Sequence, residues 1–254
     1  MRTELHFHLL PGVDDGPLDA DDAIALAQLA VADGTRRIVC TPHAREFRLR
    51  ELGSRVDAVR ETLAVARIPL EVLPGGEISP RDAPDMRPDE LELIAQGPSG
   101  ARWLLLEVPL WPSDRSFVPA TDTLRAKGYE LVIGHPERGA GIGMEVLYDQ
   151  VERGAILQIN ASSLAGRHGS ESERRAFAIT RSGLPFVVAS DAHSAERPPL
   201  LSEAARRLAA AGIEHDVIEA AIDIGPARLL ERGLLAGRSE AGLELGLRSP
   251  KRAA

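Results

Sequence analysis

Short apolar runs rich in β-branched residues recur along this chain, and helix-type patterns fill the segments between them. The runs are Leu5–Leu10, Arg37–Thr41, Leu70–Leu73, Trp103–Val108, Leu131–Gly134, Ile156–Asn160 and Phe186–Ser190. Several intervening segments begin with Asp or Ser and end on Gly, as capped helices do. This alternation predicts seven strands in a parallel sheet, open or closed into a barrel. We predict a single domain over residues 1–236 and a charge-rich, loosely ordered tail over residues 237–254.

The composition narrows the class of protein. The single cysteine, Cys40, excludes an internal disulfide framework and fits a reducing compartment. A formal net charge of −8 argues against a nucleic-acid-binding surface. No apolar run approaches the ~18 residues that a membrane-spanning helix needs, and the first residues lack a basic-then-apolar leader. We therefore expect a cytoplasmic protein that does not bind nucleic acid and does not insert into a membrane.

Side chains of the kind that bind metals follow the predicted strands, at or just past the point where each strand ends. They are His6, His8, Asp15, His43, Glu77, Glu107, His135, Asp191 and His193. Five of the seven histidines of the chain belong to this set. The C-terminal ends of the strands in parallel α/β barrels are where the loops converge and build active sites. The pattern therefore predicts a metal site at this end of the sheet.

The order of these motifs resembles a known superfamily. HFH, TPH, GGE, HPER and SDAH, which begin at residues 6, 41, 75, 135 and 190, are similar to motifs of the PHP (polymerase and histidinol phosphatase) superfamily of metal-dependent phosphoesterases. Within it, LLPGVDDGP, GGEI, HPER and QINASS resemble the CpsB/CapC-like bacterial protein-tyrosine phosphatases of capsule and exopolysaccharide loci. The resemblance extends from about Glu4 to Arg232 and so covers nearly the whole chain.

The resemblance implies a distorted (β/α)7 barrel with three divalent metal ions, whose ligands are the nine residues above. It also implies that Arg138 and Arg197 clamp the phosphate. Mixed nitrogen and oxygen donors suit Mn²⁺, Fe²⁺ or Zn²⁺ better than Mg²⁺ or Ca²⁺, and we expect Mn²⁺. Two positions depart from the family pattern. Glu4 stands where the family usually has Asp, and Ala44 stands where the family motif TPHH has its second His. We expect Glu4 to act behind the ligands and Ala44 to alter substrate contacts.

The reaction implied is hydrolysis of phosphotyrosine by direct attack of a metal-bridging hydroxide, without a phosphoenzyme. Clustered cations lower the pKa of bound water and neutralise phosphoryl oxygens. The implied substrate is the tail of a bacterial tyrosine kinase that regulates polysaccharide export, and homo-oligomers are common in the family. A small-molecule phosphatase of the histidinol-phosphate or nucleotide type is the alternative on the same site. A metal-stabilised binding or regulatory protein without turnover is a third interpretation.

A cysteine-dependent phosphatase is disfavoured by the surroundings of Cys40. Cys40 and Arg45 give Cys-x4-Arg instead of Cys-x5-Arg, the residues between them contain no glycine, and Pro42 lacks an amide donor. We predict that Cys40 is a small core residue. The roles of five further residues stay open. Asp14 is either a ligand or a turn residue, and Gln158 and Asn160 either fill the interior or lie near the metals. We expect His168 to be in a solvated loop, and Trp111 is a candidate wall for an aromatic ring.

Overall fold

The described part of the chain comprises residues 2–235 together with residues 242, 246 and 247 of a computed structural model. The predicted tail, residues 237–254, therefore lies outside the described residues except at three positions, and the domain limit at residue 236 stays a prediction. Among the described helices, none is both long enough and apolar enough to cross a bilayer.

Eight parallel strands form two sheets. They are β1 Arg2–Phe7, β2 Thr35–Cys40, β3 Glu71–Pro74, β4 Glu77–Ile78, β5 Trp103–Glu107, β6 Glu130–Gly134, β7 Ile156–Asn160 and β8 Phe186–Ala189. The first sheet has the order β1-β2-β3 and the second the order β4-β5-β6-β7-β8. The predicted parallel α/β architecture is confirmed, and each predicted run contributes to a strand.

Ten α-helices accompany the strands. They are α1 Ala20–Ala32, α2 Leu52–Val65, α3 Pro88–Ile94, α4 Phe117–Ala126, α5 Met144–Glu152, α6 Ala161–Leu164, α7 Gly169–Arg181, α8 Leu201–Ala210, α9 His215–Glu219 and α10 Gly225–Arg232, all within the described residues. Helix α1 shows how such a helix begins. The Asp19 carboxylate accepts hydrogen bonds from the N–H groups of Asp21 and Asp22 and so caps the N-terminus of the helix. Helical spacing then buries one face of α1 against the core, at Ala23, Leu26, Ala27 and Ala30.

The third predicted strand, Leu70–Leu73, corresponds to β3, and the structure adds a strand that was not predicted, β4, after two glycines. A Cβ at Gly75 would lie 2.4 Å from Val39 Cγ1, and one at Gly76 would lie 2.8 Å from Ile94 Cγ2. Neither position therefore has room for a side chain, and the ladder of β3 does not continue into β4.

Single parallel bridges join the two sheets at both edges. One bridge pairs Phe7 of β1 with Ala192, just after β8, and the other pairs His43, just after β2, with Glu77 of β4. The predicted barrel is thus represented, over the described residues, by two parallel sheets linked at two seams and not by one continuous ladder.

An apolar layer lies inside the sheets, toward the amino ends of the strands. It includes Leu5, Val39, Leu105, Val132 and Val187, which come from five different strands. On each strand the polar residue of the candidate site follows the apolar residue in sequence, so the polar groups lie toward the carboxyl ends. The fold thereby places the predicted ligands at the carboxyl end of the strands, next to this apolar layer.

Candidate metal centre

β1 delivers two buried histidines to the carboxyl end of the sheets. The Nε2 atoms of His6 and His8 lie 3.3 Å apart, and both side chains are fully buried. Phe7 between them packs into the main hydrophobic core. Because residues i and i+2 of a strand share a face, the two imidazoles project together, as the spacing predicted.

Three groups of ligand-type side chains converge around these histidines, and the donor atoms within each group lie within 4.8 Å of one another. The groups are His8–Asp15–His43–His193, His6–Glu77–His135 and His6–His8–Asp191. Together they contain eight of the nine ligands predicted from the sequence. The ninth, Glu107, belongs to none of the three groups. It lies nearby nonetheless, since burial and the charge of Glu77 raise the pKa of Glu107 to about 7.

Three buried histidines use Nδ1 for a hydrogen bond to an acceptor that carries no proton. The pairs are His6 with Gln158 Oε1 at 2.8 Å, His8 with Asp14 Oδ2 at 2.7 Å, and His193 with the carbonyl oxygen of Asp191 at 2.8 Å. Each Nδ1 must therefore donate, which makes Nε2 the nitrogen that can bind a metal ion when it carries no proton. Histidines that bind metals are held in this way by their second nitrogen.

Asp14 has a different role from its neighbour Asp15. The Asp14 carboxylate is fully buried, and besides His8 it accepts the backbone N–H of His43 at 3.1 Å and of Gly16 at 3.0 Å. A Cβ at Gly16 would lie 2.9 Å from Asp14 Oδ1 and 3.2 Å from His8 Cβ, so a larger residue here would displace the Asp14 carboxylate. Asp14 therefore orients His8 and closes the turn, and it is absent from the three ligand groups.

The Asp15 carboxylate is about half exposed and faces the ligand groups. Its Oδ1 lies 3.0 Å from His193 Nε2 and 3.4 Å from His43 Nε2. Hydrogen bonds from His193 and then from His43 lower the pKa of Asp15 well below its usual range. The carboxylate is thus an anion at neutral pH and suited to binding a cation.

Gln158 and Asn160 connect two ligands across the sheet. Gln158 Nε2 donates to Asn160 Oδ1 at 2.8 Å, and Asn160 Nδ2 donates to Asp191 Oδ2 at 2.8 Å. With the contact between Gln158 and His6, the chain of hydrogen bonds extends from β1 through β7 to the end of β8. Of the two roles left open by the sequence, the structure favours the one near the candidate metal centre.

Glu4 lies behind the ligands, at the seam between β1 and β8. Its Oε2 accepts the N–H of Ser190 at 2.8 Å and its Oε1 accepts the hydroxyl of Thr35 at 3.1 Å. Burial raises the pKa of Glu4 to about 7 despite these hydrogen bonds. This position agrees with the expectation that Glu4 acts behind the candidate ligands, because its hydrogen bond holds Ser190, the residue immediately before Asp191.

Two of the candidate ligands lie on strained backbone. His135 has φ +35° and Asp191 has φ +52°, in the left-handed region that residues other than glycine rarely adopt. Such conformations cost about 1–3 kcal/mol each and persist only where the surroundings hold them. At Asp191 the holding contacts include Asn160 and the neighbouring Glu4–Ser190 hydrogen bond.

Both arginines predicted to clamp phosphate lie at the open edge of the ligand groups. Arg138 Nη1 donates to Asp191 Oδ2 at 3.1 Å, and Arg197 Nη1 donates to Asp15 Oδ2 at 2.8 Å. Each side chain is partly exposed. A guanidinium has five N–H donors, so each arginine retains donors for a bound anion while its carboxylate contacts hold it in place.

His168 is half-buried, in contrast to the expectation of a solvated loop residue. Its Nδ1 lies 3.0 Å from Ser163 Oγ. Burial and the positive charge of Arg138 lower the pKa of His168 to about 4, with a further contribution from Arg197. His168 is therefore neutral and lies within electrostatic range of both arginines. The GRHGSES segment, polar throughout, gave no sign of this burial.

Cys40 is fully buried at the end of β2, and burial raises the pKa of its thiol to about 12. Nucleophilic cysteines require the thiolate, which such a site does not provide. The prediction that Cys40 is a core residue is confirmed.

Trp111, on the loop after β5, is 72% exposed.

The donor set fits divalent metal ions. His6 Nε2 lies 3.2 Å from Asp191 Oδ1 and 3.3 Å from Glu77 Oε2, so one small volume is surrounded by nitrogen lone pairs and carboxylate oxygens. Although burial opposes it, the hydrogen bond with Asp14 and the contact with Glu77 raise the pKa of His8 to about 10. The surrounding carboxylates thus stabilise a positive charge at this position, and binding of a cation would release the proton of His8.

Comparisons with known proteins agree with this geometry. A family model described as capsular polysaccharide synthesis, CpsB/CapC, matches residues 2–230. The tyrosine-protein phosphatase YwqE of Bacillus subtilis is 34% identical over 197 residues, which are 75% of this chain and 77% of that protein. CapC of Staphylococcus aureus is 29% identical over 207 residues, which are 78% of this chain and 80% of that protein.

A solved structure extends the agreement to the fold. It belongs to a crystallographic study of YwqE from Bacillus subtilis and CpsB from Streptococcus pneumoniae, described as unique metal-dependent tyrosine phosphatases. It matches with a TM-score of 0.80 and 28% sequence identity over 99% of both chains. The overall fold is thus shared with that structure.

Proposed function

We propose, because this chain belongs to the capsular polysaccharide synthesis family CpsB/CapC, that it is a metal-dependent protein-tyrosine phosphatase. The observation that carries the proposal is the convergence of three ligand groups below two partly exposed arginines. Similar proteins are named tyrosine phosphatases, and the site has the residue types that phosphate-ester hydrolysis needs.

We also propose the nine residues predicted from the sequence as ligands of three divalent ions, with Mn²⁺ preferred and Fe²⁺ or Zn²⁺ as alternatives. Support comes from the three groups and from the mixed nitrogen and oxygen donors. Such ions would supply a nucleophile from water near neutral pH and would neutralise phosphoryl oxygens. Glu107 is included because it is close to Glu77, although it stands outside the groups.

Arg138 and Arg197 bind the phosphoryl oxygens in this proposal. Guanidinium groups bind phosphate through paired N–H donors, and the contacts with Asp191 and Asp15 hold both arginines beside the ligand groups. Charge on the oxygens changes most in the transition state, where preorganised donors have their largest effect. The arginines therefore contribute to kcat as well as to binding.

The tyrosine side chain leaves as a phenolate in this proposal. Its conjugate acid has a pKa near 10, so departure requires less help from a protein acid than departure of an alkoxide. The buried thiol of Cys40 is unsuited to attack phosphorus. We therefore propose direct hydrolysis without a phosphoenzyme.

The proposed substrate is the phosphotyrosine-bearing tail of a bacterial tyrosine kinase that controls polysaccharide export, with the reaction in the cytoplasm. The family and the names of the similar proteins support phosphotyrosine as the substrate class. The kinase tail and assembly into homo-oligomers are carried over from the resemblance.

The test is phosphate release by Mn²⁺-loaded protein from a phosphotyrosyl peptide and from histidinol phosphate, with an EDTA-treated sample beside each. We expect the peptide to be hydrolysed with the higher kcat/KM and chelation to abolish the activity. The Cys40→Ser variant is the control and should retain wild-type kcat/KM. Preference for histidinol phosphate, or activity that depends on Cys40, would contradict the proposal.

A further inference from the structure

A surface groove of about 400 Å³ lies beside the candidate metal centre. Its lining includes Ala44, the residue next to the ligand His43, and it extends along the loop after β2 toward Arg50. The opposite wall is formed by α3, from Arg87 just before the helix to Leu93 near its end. Ala44 N–H donates to the carbonyl oxygen of Glu77 at 2.9 Å, so the inner end of the groove is fixed to the same strand that carries a ligand.

The groove carries an excess of positive charge. Four arginines and two acidic residues line it, and the acidic residues are already paired with two of the arginines: Glu90 with Arg45 at 3.5 Å and Asp89 with Arg87 at 2.8 Å. Arg48 and Arg50 are exposed, and over the described ranges neither makes an ion pair or a side-chain hydrogen bond. On a chain with a net charge of −8, this is a local site for anions.

The lining also has an apolar part. Phe47 is half-buried, Leu49 is buried and Leu93 is 44% exposed within the groove. A volume of about 400 Å³ lies in the ~300–1,000 Å³ range of sites that enclose ligands larger than an inorganic ion. A groove with unpaired arginines and apolar contacts, opening beside the centre where phosphate would be cleaved, suits the polypeptide that carries the phosphate.

We propose that this groove, the Arg48–Arg50 groove, binds acidic residues of the substrate that flank the phosphotyrosine. Carboxylates of the substrate pair with Arg48 and Arg50 while its apolar parts contact Leu93 and Phe47. The proposal rests on the proposed function, because it assigns the groove to the protein substrate of the same centre. It makes the sequence around the phosphotyrosine a determinant of specificity.

The experiment compares four substrates: phosphotyrosyl peptides of equal length with Glu residues before the phosphotyrosine, with Glu after it or with Gln on both sides, and p-nitrophenyl phosphate, which has no flanking residues. We expect kcat/KM for at least one Glu peptide to exceed that for the Gln peptide by about tenfold at low salt, because two exposed ion pairs each contribute a few-fold. The difference should reside mainly in KM and decline at high salt.

The variant is Arg48→Gln with Arg50→Gln. It should reduce the preference for the Glu peptide to less than about twofold and leave kcat/KM for p-nitrophenyl phosphate unchanged. The matched control, Arg174→Gln with Arg206→Gln, removes the same charge from exposed positions on α7 and α8 and should keep the preference.

The outcomes separate the two proposals. Equal kcat/KM for all three peptides, or a preference that survives in the Arg48 and Arg50 variant, would overturn the groove proposal while the phosphatase activity stands. Failure to hydrolyse any phosphotyrosyl peptide would instead overturn the proposed function. Loss of activity toward p-nitrophenyl phosphate in the variant would show that these arginines act on the centre itself and would also contradict the groove proposal.

Discussion

The two sides of the candidate metal centre are built differently. On the side of β1, β7 and β8, three of the candidate ligands are held by residues outside the ligand groups: His6 by Gln158, His8 by Asp14 and Asp191 by Asn160. On the side of β4 and β5, the side chain of Glu77 contacts only histidines of the site among the described residues, and Glu107, outside the ligand groups, forms a hydrogen bond with Ser79. The three residues of the first side are held by residues outside the ligand groups, whereas Glu77 on the second side is positioned by the histidines around it.

This difference indicates how the centre assembles. Hydrogen bonds from non-ligand residues set the orientation of a ligand before a metal arrives. We expect the β8 side to bind cations with little rearrangement and the β5 side to be completed by the cations themselves. Substitutions should therefore have larger effects on the β8 side.

The largest expected effect follows Asp191→Asn. Asp191 belongs to the His6–His8–Asp191 group and accepts hydrogen bonds from Asn160 and Arg138. Loss of its charge should lower kcat/KM on the order of a thousandfold, since metal stabilisation of a transition state amounts to several kcal/mol. Steady-state kinetics with metal analysis of the purified variant measures it. A variant with full metal content and activity within tenfold of wild type would remove Asp191 from the centre.

Gln158→Ala tests whether the residues behind the ligands matter. Loss of the hydrogen bond to His6 should reduce activity or metal affinity by about 10–100-fold, the usual effect of such residues. Gln150→Ala is the matched control, because Gln150 is equally buried but bonds Arg125 and Asp149 instead of a ligand. If both glutamine variants behave alike, the effect is one of stability and the contrast between the two sides is lost.

Glu107→Gln tests the side of β4 and β5. We expect kcat/KM to fall about tenfold, less than for Asp191→Asn, because at most one metal ion would lose a ligand and the network behind His6 and His8 would stay intact. Titration with Mn²⁺ should show weaker binding of one ion. An effect as large as that of Asp191→Asn would show that the two sides are equally critical.

The smallest effect on activity is expected for Glu4→Gln, which should instead change the pH dependence of stability. The pKa of Glu4 is raised from 4.5 to about 7, so its contribution is fully present below pH 4.5 and is lost as pH rises through about 7. Between pH 4.5 and about 7, the free energy of unfolding of the metal-free wild type should fall by on the order of 3 kcal/mol relative to that of Glu4→Gln. Urea unfolding in EDTA measures it, with Glu61→Gln on the exposed face of α2 as control. Parallel pH profiles for wild type and Glu4→Gln would contradict the assignment.

Much of the fold and site followed from the sequence because the signals were local. Alternating strands and helices, with ligand-type residues at the strand ends, sufficed to predict the parallel architecture and a metal site, and the family resemblance supplied the ligand set that contains the residues of the three groups. The resemblance placed Asp15 in the ligand set, but it left open whether Asp14 is a ligand or a turn residue. These neighbours differ only in the direction that the turn at Gly16 gives them.

The remaining features depend on contacts between distant parts of the chain. The break between β3 and β4 follows from the closeness of Val39 and Ile94 to Gly75 and Gly76. The link from His6 to Gln158 joins residues that are 152 positions apart. The groove beside His43 needs both the loop after β2 and α3, and neither segment alone indicates a cavity.

The left-handed backbone at Asp191 limits how this position can evolve. Asp and Asn tolerate this conformation better than other residues with side chains, and of the two only Asp supplies the carboxylate. Asp and Asn codons differ by a single nucleotide, so the mutation that preserves the path of the chain is also one that removes its charge. One such step would turn the enzyme into a folded pseudoenzyme, able to hold a phosphorylated partner without releasing its phosphate.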